Sequence, residues 1–590
     1  MKFKTNRLIL IGIAILILSS LTACSGADEH IWLKSPGWSR AVLLGNTVLS
    51  DPVPMTLDED GNTYFLLFSE NEIQSRKIFS VIALDPKGLA LWTRPLEEIF
   101  ISRPSFVQLI NEKGGLELFW VDKESLYTFS LDLQGEPLSD KPILLSDNIV
   151  VEDYAIAKDD SGATTLWFGG PRKNPGMYAL STFDGKGEIT SITPDGIRPQ
   201  LRYDQENILH ATWIEYPLGY GDTKIIYAKS PSFAPEMVQE FSVGPSSGLD
   251  GPTMGIDSKE VYLFWTITIR SGLEAGTIRT KTTHFPLGRA ELASEAVLLA
   301  MPSIYGLQFE YLSNSPLDAG ERVSLASGNL PKSVKVQEII TNPAQVDELA
   351  IIFRSPTEHL WRKVKEQVNM AYFYEGELLS YQPLSFTTTL STSPNLLNSP
   401  DRHLYAVWLE KIENEFYSVY FASTSPEIEE TMSRSTGREL GRIATQVSFG
   451  MLVGILMAPI AAGVWVVVPL GILFLFSPLR KIGSRRTQDI LGVISLVFAL
   501  IAFWFGKLAM LPGMMDYVPF SAWLPEIPEL IANILRWAVP IINGLIAIFV
   551  AWFYTYRESN KSTLYFLLIY VGVDSLLTTA IYAVLIYGTI

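Results

Sequence analysis

One cysteine in 590 residues, Cys24, excludes an intramolecular disulfide and any site built from several thiolates. The five histidines (His30, His210, His284, His359, His403) are scattered without ligand spacing, so neither a metal nor a cofactor is expected. Charge is sparse as well, at 18% of residues, and unevenly spread. Residues 446–590 hold eight Lys/Arg against six Asp/Glu, and residues 1–23 hold three basic residues and no acid. The net charge of −16 therefore leaves −21 on residues 24–445. So acidic a body lacks the basic face that neutralises phosphates, which excludes nucleic acid as a partner. No glycine-rich phosphate loop or dinucleotide fingerprint occurs. Gly244-Pro245-Ser246-Ser247-Gly248 has the nucleophile-elbow spelling, but another turn follows it where a helix is required, so it reads as a loop. Acid pairs such as Glu97-Glu98 and Asp159-Asp160 are adjacent and point apart on a strand, unlike a glycosidase dyad. No catalytic residue is identified.

What the chain does have is apolar. Fourteen Trp, 24 Tyr and 30 Phe exclude disorder and suffice for a large core. At the start, Lys2, Lys4 and Arg7 precede an apolar run from Leu8 to Leu18, too short for a comfortable span, which ends in Leu21-Thr22-Ala23-Cys24. This segment resembles the bacterial lipoprotein signal. The resemblance implies that the Cys24 thiol receives diacylglycerol, that residues 1–23 are removed, and that Cys24 becomes the N-terminus. The competing reading is an uncleaved N-terminal anchor. Both put residue 25 onward outside the cytoplasm.

Near the other end, four apolar stretches (449–476, 490–511, 530–554 and 564–587) reach the roughly 20 residues a helix needs to cross a bilayer. Pro459 and Pro469 in the first allow either one kinked span or a hairpin. Arg480, Lys481, Arg485 and Arg486 crowd the next loop and hold it cytoplasmic, which selects one crossing and four spans in all. Arg434, Arg438 and Arg442 share a helix face just before the first span, behind a Thr436–Glu439 capping box. They read as a snorkelling collar rather than a site for anionic head groups. Lys507, Arg536 and Asp574 are the intramembrane polar candidates. For Asp574 a structural ion pair or a protonated carboxyl is favoured over a proton- or signal-coupled site.

Between the ends, residues 31–430 carry short alternating strands and no long helical period. Asp- or Asn-led turns begin at Asp58, Asn111, Asp159, Asp204, Asp257 and Asp401, each leading into a strand that ends in an aromatic. Phe68, Trp120, Trp167, Trp213 and Trp265 are separated by 52, 47, 46 and 52 residues, and Trp408 follows at 143, with weaker candidates near Phe309 and Phe353. Second turns recur between them at Asp85, Asp132 and Asp184, and Pro54, Pro104, Pro199, Pro252 and Pro394 precede several of the aromatics. Four short strands per unit of that length make a propeller blade, and the aromatics are expected to pack between blades. The fold class is therefore an all-β propeller of seven or eight four-stranded blades, followed by a C-terminal α-helical transmembrane bundle of four spans. The units resemble the sialidase-like propellers, with their Pro, Asp-x-x-Gly and aromatic-strand repeat. No segment has the strict Ser-x-Asp-x-Gly-x-x-Trp box, and Ser102-Arg103-Pro104 and Ile197-Arg198-Pro199 are the nearest approaches to Phe-Arg-Ile-Pro. The resemblance implies fold and not activity.

The organisation read from the sequence is a signal peptide at 1–23, an extracytoplasmic propeller at 24–430, a juxtamembrane segment at 431–448 and a transmembrane domain at 449–590. The expected setting is the bacterial cytoplasmic membrane, with lipid as a partner through an acyl anchor and four spans. The expected function is a ligand-binding or scaffold module of the cell envelope, taking a glycan or an envelope protein. A surface exo-glycosidase of sialidase-like fold is the alternative, and an envelope sensor coupling propeller to bundle is a further one. Replacing Cys24 with Ala should leave a protein heavier by the uncut signal yet still membrane-bound, because one acylated cysteine adds less than a helix bundle. Mass spectrometry of membrane fractions checks this, and identical processing of both forms would remove the lipoprotein reading.

Overall fold

Side-chain caps decide where the chain doubles back. The computed structural model describes residues 35–582, apart from 36 and internal stretches of which 303–322, 325–332 and 520–528 are the longest. Asp58 Oδ1 accepts the amides of Asp60 (3.0 Å) and Asn62 (2.8 Å), and Oδ2 accepts the Tyr64 hydroxyl at 2.8 Å. One carboxylate thus closes a turn and bonds it to the strand that leaves it. Asp257 does the same with Lys259, Glu260 and the Tyr262 hydroxyl. Asp204 caps Glu206 and Ile208, and its Oδ2 lies 2.9 Å from His210 Nε2. In the last repeat the cap is Ser399, whose Oγ accepts the amide of His403, rather than Asp401. Asn111 bonds the preceding repeat, donating Nδ2 to Leu57 C=O at 3.0 Å. The second turns follow the same rule: Asp85 accepts the amides of Lys87 and Leu89, and Asp132 those of Gln134 and Glu136.

These hairpins assemble into seven antiparallel blades. Their innermost strands are Met55–Leu57, Ser105–Glu112, Asp153–Lys158, Gly196–Tyr203, Ser247–Ile256, Gln337–Thr341 and Ser391–Asn398. Blades 1 to 5 take all four strands in chain order. Blade 6 gains a short fifth, Val323–Ser324, on Glu377–Pro383. Blade 7 has three strands of its own and receives its outer one, Val42–Thr47, from the start of the described chain, paired antiparallel with Phe416–Ser423. The repeat aromatics stand on the second strand of every blade: Phe68, Trp120, Trp167, Trp213, Trp265, Phe353 and Trp408, none more than 3% exposed. Phe309 lies outside the described residues. Phe353 follows Trp265 by 88 residues because an insertion precedes blade 6, tied by the two-stranded ribbon of Ala300–Pro302 and Ser333–Lys335.

Aromatic pairs cross the seams between blades, as the spacing predicts. Phe79 meets Trp120, Phe119 meets Tyr154, Trp167 meets Phe233, Tyr227 meets Phe285, Tyr262 meets Phe373 and Phe65 meets Phe421, with ring centroids 5.0–6.4 Å apart. Between blades 6 and 7, Trp408 packs with Ile352, Met370 and Trp38.

After Ser423 the chain forms α1 (Pro426–Met432), which covers the blade 1 turn at Gly88. Gly88 has φ +79°, a backbone that favours glycine, and a Cβ there would stand 2.6 Å from the flexible end of Met432, at Cε. Then follow α2 (Gly437–Trp465), α3 (Val467–Phe476), α4 (Arg485–Met510), α5 (Glu529–Arg557) and α6 (Thr563–Ile581). Among the described residues, four helical segments are long and apolar enough to cross a membrane: Gly450–Phe476, Arg486–Met510, Leu530–Thr555 and Thr563–Ile581. The first is one continuous helical stretch, because Val466 between α2 and α3 is itself helical and keeps Val466 N–H to Ala462 C=O (3.0 Å) and Leu470 N–H to Val466 C=O (2.9 Å), while Pro469 lacks the N–H for its own bond. α6 is the most enclosed, and Gly454 of α2 lies so close that a Cβ would stand 2.2 Å from Thr579 C=O. Arg434 and Thr436 lie outside the described residues. Trp408→Ala should destabilise the propeller by about 3–5 kcal/mol through lost burial and a cavity, and the part-buried Trp92→Ala by less than half of that. Denaturant unfolding of the solubilised chain, with helical and strand signals followed separately, checks this; the helices should be unaffected.

Candidate functional site

The first strands of neighbouring blades abut around one axis. At the end opposite the Asp-led turns, five of the seven carry an irregular register. At those places Phe106, Arg198, Gly251, Glu338 and Ser393 have φ of 49°, 55°, 96°, 53° and 48°. Each is a bulge that re-aims one residue at the rim. For the four non-glycine residues this backbone costs about 1–3 kcal/mol each, sustained by surrounding contacts. Pro199, Pro252 and Pro394 follow the bulged residue directly, which explains three of the prolines noted in the repeat.

Hydrogen bonds and charge stitch the rim from blade to blade. The Phe106 amide bonds the Asp51 carboxylate, and Tyr154 Oη donates to Phe106 C=O at 2.5 Å. Asp153 lies within electrostatic reach of Arg198, which donates to Leu249 C=O. Thr253 Oγ1 donates to Ile339 C=O at 3.3 Å. Glu338 accepts the Ser393 amide at 2.7 Å and the Thr392 hydroxyl at 2.8 Å. Ser393 Oγ donates to Ser50 C=O and Asn395 Nδ2 to Val53 C=O, closing on blade 1.

Within that rim, blades 3 to 5 bring together Glu152, Asp153, Arg172, Arg198, Tyr216 and Asp250. Burial pushes the Asp153 carboxyl up to about 7, against the pull of Arg198. Burial also raises the Tyr216 hydroxyl, although Arg198 and Arg172 oppose it. The Arg172 guanidinium lies 4.1 Å from the Tyr216 ring centroid. On blade 6, Arg354 is engaged by Glu338 at 3.1 Å and Gln337 Oε1 at 2.6 Å. Phe106 is 46% exposed although its backbone is held on both sides. Beside Asp51 a cleft lined by Phe68, Phe79 and Val107 has a free volume of about 10 Å³, room for about one water.

Of the residues singled out from sequence, Lys507 and Asp574 meet: Lys507 Nζ donates to Asp574 Oδ2 at 2.8 Å, both side chains fully buried. The ammonium also lies 4.4 Å from the Trp504 ring centroid. Arg536 stands apart, donating to Asn533 Oδ1. Cys24 lies outside the described residues. Ser247 opens a strand, so no helix follows the Gly-x-Ser-x-Gly spelling. His210 is buried between Asp204 and the Tyr227 hydroxyl, at 2.9 and 2.6 Å. No group of three or more His, Cys, Asp or Glu suited to a metal occurs among the described residues. Sequence reasoning passed over Asp153, Phe106 and Glu152. Arg198 was visible as Ile197-Arg198-Pro199, but nothing local says that it faces the axis.

No family model matches the sequence, and no curated protein does. Among solved structures, the polysaccharide lyase Uly1 is similar at 7% identity, covering 68% of this chain and 94% of that one, with a TM-score of 0.39. A Trypanosoma rangeli sialidase mutant displaying trans-sialidase activity is 12% identical over 71% of this chain and 63% of its own, at 0.32. The β-propeller domain of the Trilobed protease from Pyrococcus furiosus is 8% identical over 63% and 94%, at 0.34. At these scores the likenesses carry no argument, and the blade count rests on strand pairing alone.

The raised Asp153 carboxyl has a consequence for stability. Below about pH 4 the group is protonated in both folded and unfolded chain and contributes nothing. As pH rises toward 7 the unfolded chain loses the proton first, so folding is progressively penalised. Asp153→Asn should therefore raise the melting temperature at pH 8 and leave it unchanged near pH 3.5, as thermal unfolding of both proteins at the two pH values would show.

Proposed function

We propose that this chain is a membrane-anchored, extracytoplasmic propeller that binds a polar ligand, glycan or envelope protein at its axial rim, as a binding or scaffold module of the bacterial cell envelope. The observation that carries this reading is the rim itself. Bulged backbone presents an exposed aromatic, Phe106, beside carboxylates (Asp51, Asp153) and a guanidinium (Arg198), a mixture suited to the faces and hydroxyls of a sugar. The way the chain leaves the propeller supports it. Ser423 ends the third strand of blade 7 opposite Tyr405, beside the Ser399 turn, and α1 then packs on the Gly88 turn. The tether to the spans thus starts from the Asp-turn end, which turns the rim away from the bilayer. An acyl group on Cys24 would add a second tether.

The exo-glycosidase reading has one observation in its favour: a carboxyl near 7, beside Arg198, with Tyr216 and Glu152 near, is poised as a general acid. Against it, the Tyr216 hydroxyl is raised where an attacking phenolate requires lowering, Arg172 covers the ring, and Arg354 is already paired. Binding of the detergent-solubilised chain to an array of bacterial envelope oligosaccharides tests the proposal. Phe106→Ala and Arg198→Gln should each weaken binding by about tenfold or more while the fold is retained. Unchanged binding in both variants would exclude the rim. Release of fluorophore from 4-methylumbelliferyl glycosides, abolished by Asp153→Asn, would establish the hydrolase instead.

A further inference from the structure

Arg202 lies on the innermost strand of blade 4, two residues before the Asp204 turn and so at the end of the axis opposite the rim. Its side chain reaches past blade 5: Nη2 is 3.5 Å from Thr341 Oγ1 on the innermost strand of blade 6, while Nη1 donates to Leu201 C=O at 2.9 Å. Nε is buried without a hydrogen-bond partner among the described residues. A guanidinium has five N–H donors, and two neutral oxygens occupy two of them. Arg94, Arg279, Arg354 and Arg402 all have a carboxylate partner, and Arg202 has none among the described residues. Burial is the one influence on its acidity, which it shifts down to about 10, so the group stays charged at neutral pH. Arg202 is part-buried, with Nε shielded from solvent, and a cation so placed with no counter-charge is costly, whereas one completed by a bidentate oxyanion is among the strongest polar contacts available to a protein.

We propose that Arg202 binds an oxyanion — a carboxylate, sulfate or phosphate group — in the axial space at the Asp-turn end of the propeller, while Thr341 Oγ1, which donates its own proton to Met254 C=O at 2.7 Å, positions Nη2. The Nε and Nη2 edge of the guanidinium faces the anion, and the Leu201 carbonyl holds the remaining Nη. This site stands at the other end of the axis from the rim and does not depend on the rim's ligand. The anion is either free or carried on a lipid head group.

The test uses the full chain in a neutral detergent, with acetate, sulfate and inorganic phosphate as probes and dihexanoyl phosphatidic acid as the head-group arm. Equilibrium dialysis of labelled phosphate should give about one site per chain, and Arg202→Gln should lower its affinity at least tenfold. Stronger competition by phosphatidic acid than by inorganic phosphate would assign the anion to lipid, and equal or weaker competition to a free oxyanion. Without any oxyanion, Arg202→Gln should melt at the same temperature as the parent or higher, because a part-buried charge without a counter-ion has been removed. With phosphate, only the parent should gain several degrees. Failure of every probe to bind the parent overturns the proposal. So does an equal rise in both proteins, which is a general salt effect, or a lower melting temperature of Arg202→Gln with unchanged binding, which is a packing role.

Discussion

The propeller depends on one strand exchange. Blade 7 is completed only when Val42–Thr47 pairs with Phe416–Ser423, and that pairing joins the two ends of the β-domain. The closure brings Ser393 to Ser50 and Asn395 to Val53 across some 340 positions of chain. It also seats Trp38 in the core between blades 6 and 7 and fixes where α1 leaves. Each blade buries both faces against neighbours, so an unclosed ring would expose two apolar sheet faces at once. The rim, the axial space and the route to the membrane all follow from that closure.

The strong negative charge of the body has a structural explanation in part. Asp58, Asp85, Asp132, Asp204 and Asp257 accept amides of their own turns, so their charge is used in folding rather than displayed for a basic partner. Buried charge elsewhere follows the same rule of local compensation. In the helical region Lys507 and Asp574 neutralise each other where a single ion would be expelled. In the propeller His210 fits between an acceptor and a hydroxyl as a neutral ring, the burial that depresses its basicity outweighing the nearby Asp204. Arg202 departs from this pattern.

The rim differs in character from the rest of the ring. Seams are aromatic and apolar, but the rim collects carboxylates, guanidinium groups and an exposed phenyl ring on strained backbone. Backbone strain recurs at corresponding places in the innermost strands of blades 2, 4, 6 and 7, where surrounding hydrogen bonds sustain it.

Much of the architecture was legible in one dimension. Aromatics about 48 residues apart and Asp-led turns specify repeating blades, because each blade is a local meander whose period is set by strand and turn lengths. Apolar length likewise specifies four spans, because a bilayer has a fixed thickness. The blade number needed the pairing: the insertion before Phe353 breaks the period, and the strand completing blade 7 lies far from it in sequence. Ser399 replaces Asp401 as a cap because either oxygen can accept the same amide, which an alignment on Asp alone misses. Lys507 and Asp574 could be named as polar residues within apolar runs, but their contact is decided by how α4 and α6 pack. Composition, period and apolar length are local properties and survive translation into sequence. Which side chains meet at the axis depends on closing a ring, a long-range event in which Arg198, Asp153 and Arg202 acquire neighbours that no nearby residue encodes.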